Sequence, residues 1–287
     1  MKFIEGILLS IALSSAYAAG IQVDYQINEE NYEGYYASDL ADAPLVLLIH
    51  DWDGLTDYEI KRAEMLVEMG YSVFAVDLFG AGKRPTKIAD KRQQTGGLIK
   101  DREKLRALLT GALDKAASLG WNTDNMVAVG YGFGGNAVLE LARSGAELKG
   151  FATFHGGLKT PAGQDFSKTK GEVLILHGSA DTAITMAQFA GLANDLEKAD
   201  VPHEMTTFSG APHAFTVFDT ERYREDADRK SWDRFGQFLH RVIPLPEIPV
   251  EEPVVEPVVK SVSGSVHESS DDSAVDSVDD SNPVQPE

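Results

Sequence analysis

The sequence predicts an α/β fold: a mostly parallel central sheet with helices on both faces and an antiparallel hairpin at its N-terminal edge. Three observations carry this. Short apolar runs alternate with segments of helical period, the pattern of βαβ units. The runs at 44–50 (PLVLLIH) and 71–78 are almost unbroken in apolar character, as strands covered on both faces must be. Each run ends in a polar or Gly-rich loop, and open parallel sheets gather their sites beyond the carboxyl ends of the strands.

In chain order, 21–37 alternates and is rich in Tyr and Val around a polar turn at 28–31, which predicts the edge hairpin. The 44–50 strand leads to His50-Asp51-Trp52-Asp53-Gly54. Helical spacing over 57–69 sets Ile60, Ala63, Met65, Leu66 and Met69 on one face. The 71–78 strand leads to a loop through Gly80, Gly82, Lys83 and Arg84. A long amphipathic helix over 101–119 stops at Gly120, a residue suited to a helix C-terminus. A strand at 126–129 runs into a Gly-rich turn and a helical pattern at 136–142. Strands at 149–154, 172–176 and 203–208 and helices at 185–199 and 228–242 complete the pattern, with no internal boundary between 20 and 243.

Composition narrows the classes. The chain has 287 residues, 43% hydrophobic and 25% charged, with net charge −19, so nothing basic would offset nucleic-acid phosphate. There is no Cys, which excludes disulfides, thiolate metal sites and a Cys nucleophile. At the N-terminus, Lys2, an apolar run from Ile7 to Leu13 and Ala16-Tyr17-Ala18 read as a signal peptide over 1–18, implying export. The run is too short to span a bilayer, and no later segment is long enough. Residues 19–243 form the folded domain. Residues 244–287 hold seven of the 12 prolines, eleven acids and one base, with no aromatic residue, and read as a disordered acidic tail. Its Asp run matches no calcium-loop spacing.

The chemistry centres on Gly130-Tyr131-Gly132-Phe133-Gly134-Gly135. Strand, tight glycine turn, helix is the layout of a nucleophile elbow, whose small flanking residues avoid clashes around an exposed central side chain. Here the central residue is Gly132, so the scaffold for covalent catalysis is present without its reactive atom. Asp181 follows a later strand and His213 the last one. Nucleophile position, acid and base thus come in the order of a hydrolytic triad. The backbone N–H groups of Phe133 and Trp52 are the candidate oxyanion donors. Arg84, Tyr131 and His155 are weaker candidates for substrate contact. A metal site from His50, His155 and His177 with Asp51 and Asp53 matches no short ligand motif, so neither metal nor cofactor is expected.

These motifs, together with Asp77-Leu78-Phe79-Gly80, His155-Gly156-Gly157, His177-Gly178-Ser179-Ala180-Asp181 and Ala211-Pro212-His213-Ala214-Phe215, resemble the dienelactone hydrolase family from about Val23 to Leu239. The resemblance implies an α/β-hydrolase fold and a metal-free Cys-His-Asp triad acting on lactones and related esters. The family's Cys falls on Gly132, its Asp on Asp181 and its His on His213. Its acid beside the Cys, usually Glu, falls on Asp51. The expectation is a monomeric hydrolase of a small lactone or ester, impaired at Gly132, with water activation by His213 and Asp181. The alternative is an exported, non-catalytic pseudo-hydrolase that binds a small carbonyl or carboxylate ligand.

Overall fold

Alternating side chains place two apolar layers on the two faces of one sheet. In the computed structural model, which describes residues 20–40 and 42–246, the sheet has eight strands. These are β1 (Ile21–Ile27), β2 (Glu30–Ala37), β3 (Leu45–Ile49), β4 (Ser72–Val76), β5 (Met126–Tyr131), β6 (Gly150–Phe154), β7 (Glu172–Gly178) and β8 (His203–Phe208). Their order is β1-β2-β4-β3-β5-β6-β7-β8. The β1–β2 and β2–β4 pairs are antiparallel, and every other pair is parallel. The expected hairpin and parallel sheet are both present.

Helices cover both faces: α1 (Asp57–Glu68), α2 (Ile88–Lys100), α3 (Arg102–Ser118), α4 (Phe133–Ser144), α5 (Met186–Lys198) and α6 (Glu225–Val242). Leu45, Leu47, Ile49 and Ala128 face α2 to α5, against Leu98, Leu105, Leu109, Ala137 and Leu196. Val46, Leu48, Val127 and Val129 face α1 and α6, against Ala63, Leu66, Phe235 and Phe238. All of β3, β4, β5 and β6 is buried, which is why those runs carry no polar alternation. Each large apolar side chain so buried contributes roughly 1.5–3 kcal/mol of transfer free energy.

Helix α2 was not legible in the sequence. Leu98 is its one buried residue, Gly96 and Gly97 interrupt it, and Lys87 at its start makes no side-chain cap. Leu245 packs, partly buried, on the α1–α6 face. The segment read as a leader, 1–18, and the tail from 247 onward lie outside the described residues. No helix among the described residues is long and apolar enough to cross a membrane.

One buried charge cluster ties α3 to α4. The Glu140 carboxylate, with no exposed side-chain surface, accepts from Arg102 at 2.6 Å, Arg106 at 2.7 Å and Arg143 at 2.9 Å. Burial opposes its ionisation, yet the Arg143 and Arg106 guanidiniums outweigh that and hold its pKa below the ordinary value. A carboxylate stabilised in this direction contributes fully above its unfolded pKa, and the contribution is lost as pH falls through the folded value. Glu140→Gln is therefore expected to cost about 3 kcal/mol at pH 7 by leaving the guanidiniums uncompensated. The gap in melting temperature from wild type should narrow on acidification below about pH 4.5, as calorimetry at pH 7 and pH 4 would show.

Candidate active site

The loops after β3, β5, β7 and β8 converge at one edge because the strand register brings their ends level. Ile49 lies opposite Gly130, and Gly178 lies opposite Phe208. The elbow follows from that register and from glycine. A Cβ on Gly130 would overlap the Gly134 carbonyl, and one on Gly134 would overlap the Ile49 and His50 carbonyls, so α4 can approach β3 and β5 only without side chains there. Gly132 sits at the apex with φ 50° and ψ −109°, a conformation that costs a residue bearing a side chain about 1–3 kcal/mol. Its N–H continues the sheet ladder to the Phe154 carbonyl at 3.1 Å, and its own carbonyl accepts the first turn of α4 from Asn136 at 3.2 Å.

His213 and Asp181, which the chain order and the family resemblance pair, meet in the structure. His213 Nδ1 lies 2.8 Å from Asp181 Oδ2, while Asp181 Oδ1 accepts from the Ala183 and Ile184 N–H groups, each at 2.8 Å. Burial opposes ionisation of Asp181, but the His213 hydrogen bond and those N–H groups prevail, so its pKa lies below the ordinary value. The imidazole keeps 28% side-chain exposure and lines a cavity of about 350 Å³. Asp51, Trp52, Gly132, Phe133, Asn136 and Arg222 line the same cavity, and Thr95 and Ile99 of α2 close one side.

Asp51 fills the place that the missing side chain leaves. A Cβ added at Gly132 would lie 2.5 Å from Asp51 Cγ and Oδ2, and closer still to Oδ1. Asp51 Oδ1 accepts the Trp52 N–H at 2.7 Å and the Phe133 N–H at 2.9 Å, the two donors expected to form an oxyanion hole. Its Oδ2 accepts no hydrogen bond from any described residue. Burial pushes the Asp51 carboxyl up to about 6, against the pull of the Phe133 and Trp52 N–H groups. Beneath it, Glu59 accepts the Asp51 N–H at 3.3 Å and the Thr56 N–H and hydroxyl at 2.8 Å each.

The weaker candidates lie elsewhere. Arg84 is held outside the cavity, with Nε donating to the Leu55 carbonyl and Nη1 3.7 Å from Asp77. Tyr131 has no exposed surface and stacks on Phe154 at 4.8 Å, because alternation along β5 turns it toward the α1–α6 face. His155 lies behind His213, rings 5.4 Å apart, with Nε2 2.9 Å from the Thr216 hydroxyl. Burial and the neighbouring His213 keep its pKa well below the ordinary value, and it is not among the residues that line the cavity. His50 is also a support: its Nδ1–H donates to the Asp51 carbonyl at 2.6 Å and its Nε2 accepts from the Leu78 N–H at 3.1 Å. Sequence reasoning missed Asn136 and Arg222, which lie on the cavity wall without any local motif to mark them. Among the described residues, no group of three or more His, Asp or Glu side chains is placed to hold a metal ion.

Comparison with known proteins gives the family and the fold. The dienelactone hydrolase family model matches residues 33–243. A Synechocystis protein provisionally named a carboxymethylenebutenolidase is 24% identical over 230 residues, 72% of this chain and 90% of that protein. A solved dienelactone hydrolase-like promiscuous phosphotriesterase from metagenomic libraries is 26% identical and superposes with a TM-score of 0.73, covering 79% of this chain and 98% of that one. A Klebsiella pneumoniae structure, 22% identical with a TM-score of 0.69, covers 78% of this chain and 99% of its own and shares the fold. Since the family model spans residues 33–243, most of the chain, and the sheet has the matching fold, the chain belongs to the dienelactone hydrolase family.

Proposed function

We propose that this protein hydrolyses a small lactone or carboxylic ester without a covalent thiol, with His213 as general base for a water lodged beside Gly132. The observation that carries this reading is the 2.8 Å His213–Asp181 hydrogen bond on the wall of the cavity that Gly132 opens into. Asp181 fixes the imidazole tautomer and steadies the imidazolium that forms when the water is deprotonated. The substrate carbonyl oxygen takes the Trp52 and Phe133 N–H groups, which requires Asp51 to leave them. Turnover is slow for that reason as well as for want of a nucleophile. The protein acts as an exported monomer after removal of residues 1–18. Phosphotriesters are a second class to assay, since the metagenomic relative is named for them.

The test is turnover of p-nitrophenyl acetate by wild type and His213→Ala. General-base help of the usual size predicts a loss of roughly 10² on removing the imidazole. Equal rates would eliminate the water mechanism. One observation favours the second reading, a pseudo-hydrolase that binds a small carbonyl or carboxylate ligand: both oxyanion donors are already occupied by the protein's own carboxylate. A thermal shift with small carboxylates but no turnover would support that reading instead.

A further inference from the structure

We propose that Asp51 is itself a nucleophile, and that the cavity transforms a substrate with a leaving group on saturated carbon, such as a primary alkyl halide. The geometry leads there. Asp51 Oδ1 is pinned by the Trp52 and Phe133 N–H groups, while Oδ2 accepts no hydrogen bond from a described residue; the whole carboxylate stands where the side chain of residue 132 would begin. A carboxylate so held presents one lone-pair-bearing oxygen to the cavity in a fixed direction. While Oδ1 holds the N–H pair, no substrate carbonyl can use it. An electrophile that Oδ2 attacks must therefore need no oxyanion stabilisation, and saturated carbon with a departing anion meets that condition.

In the first step Oδ2 attacks the carbon from behind, an O–C bond forms, and the carbon–halogen bond breaks with its electron pair leaving on the halide. Arg222 on the cavity wall supplies positive charge toward the departing anion. The product is an alkyl ester of Asp51. In the second step His213 takes a proton from water, and the resulting hydroxide adds to Asp51 Cγ. The negative charge now develops on Oδ1, the atom that already accepts both N–H groups. Collapse breaks the Cγ–Oδ2 bond and expels the alkoxide, which takes the proton back from His213. The new carboxylic acid releases its own proton to solvent. The sum is alkyl halide plus water giving alcohol, halide and a proton. Asp51 ionises below neutral pH, so it is a carboxylate when the cycle begins.

This reading shares water activation by His213 and Asp181 with the ester hydrolysis proposed above but adds a covalent intermediate on Asp51. The full chain is given 1-bromobutane and bromide release is followed. Wild type is expected to release bromide, and Asp51→Asn, which keeps an oxygen for the two N–H groups, is expected to lose at least about 100-fold. His213→Ala, which leaves the attacking carboxylate intact, should accumulate one butyl group per chain on the peptide that holds Asp51, seen by mass spectrometry. A single turnover of wild type in H₂¹⁸O should place ¹⁸O in Asp51 and not in the butanol. Label in the butanol alone, a butyl group mapped elsewhere, bromide release indifferent to Asp51→Asn, or no bromide release from wild type would each overturn the proposal. p-Nitrophenyl acetate turnover by the same three preparations separates the two readings. A His213-dependent acetate rate without a butyl adduct keeps the ester reading and removes this one, and an adduct without an acetate rate does the reverse.

Discussion

Gly132→Cys is expected to raise p-nitrophenyl acetate turnover by roughly 10³-fold, a fraction of the ~10⁶ that a hydrolytic triad loses with its nucleophile. The partners a thiol would use are already set: His213 is steadied by Asp181 at 2.8 Å, and the Phe133 N–H follows the apex directly. The gain stays below the full factor because the new Cβ would occupy the space of the Asp51 carboxylate, which must rotate off the Trp52 and Phe133 N–H groups. The same collision and the apex geometry should lower stability by about 1–3 kcal/mol. Adding Asp51→Ala to Gly132→Cys should return part of that stability and free the oxyanion donors, so the two changes will not be additive. Pre-steady-state kinetics should show a burst, and mass spectrometry an acetyl group on residue 132. No burst and no gain in rate would mean that the His213 pair cannot serve a nucleophile at this apex.

Arg62→Ala is expected to destabilise the protein by about 3–5 kcal/mol, the usual result of leaving one member of a buried ion pair alone. Arg62 has no exposed surface. Its guanidinium lies 2.5 Å from Asp228 Oδ1 and donates to the Thr216 carbonyl at 2.9 Å and to the Tyr58 hydroxyl at 3.3 Å. It also stacks over the Phe218 and Trp232 rings at 4.3 and 5.0 Å. These contacts bind α1, α6 and the loop after His213 together. For a domain of this size the loss corresponds to a fall of about 10 °C in melting temperature. The double change Arg62→Met with Asp228→Leu should recover much of it, since apolar packing commonly replaces a buried pair at little cost. A melting temperature within 2 °C of wild type for Arg62→Ala would show that the pair is worth no more than an exposed one.

The sheet, the glycine turn and the pairing of Asp181 with His213 were readable because each is written locally. Unbroken apolar runs mark strands covered on both faces, glycines at 130 and 134 mark a contact where backbone meets backbone, and Asp181 and His213 follow strands in triad order. The position of Asp51 over Gly132 was not readable, because it depends on the pairing of Ile49 with Gly130 across 81 residues of chain. The partners of Arg84 and His155 were not readable for a related reason. A charged or aromatic side chain near a strand end looks available until its partners are known, and Leu55, Asp77 and Thr216 claim these two. Tyr131 was a matter of parity along β5, which sends it to the opposite face from the cavity. Helix α2 escaped notice because its contribution is a wall for the cavity, through Thr95 and Ile99, with hardly any buried stripe.

The carboxyl of Glu59 serves two masters. It closes the first turn of α1 through Thr56 and also receives the N–H of Asp51. Thermal hardening of this protein by redesigning that helix start would therefore retune its chemistry unasked. Removing the Thr56 hydroxyl would be felt at the Asp51 backbone through one shared side chain.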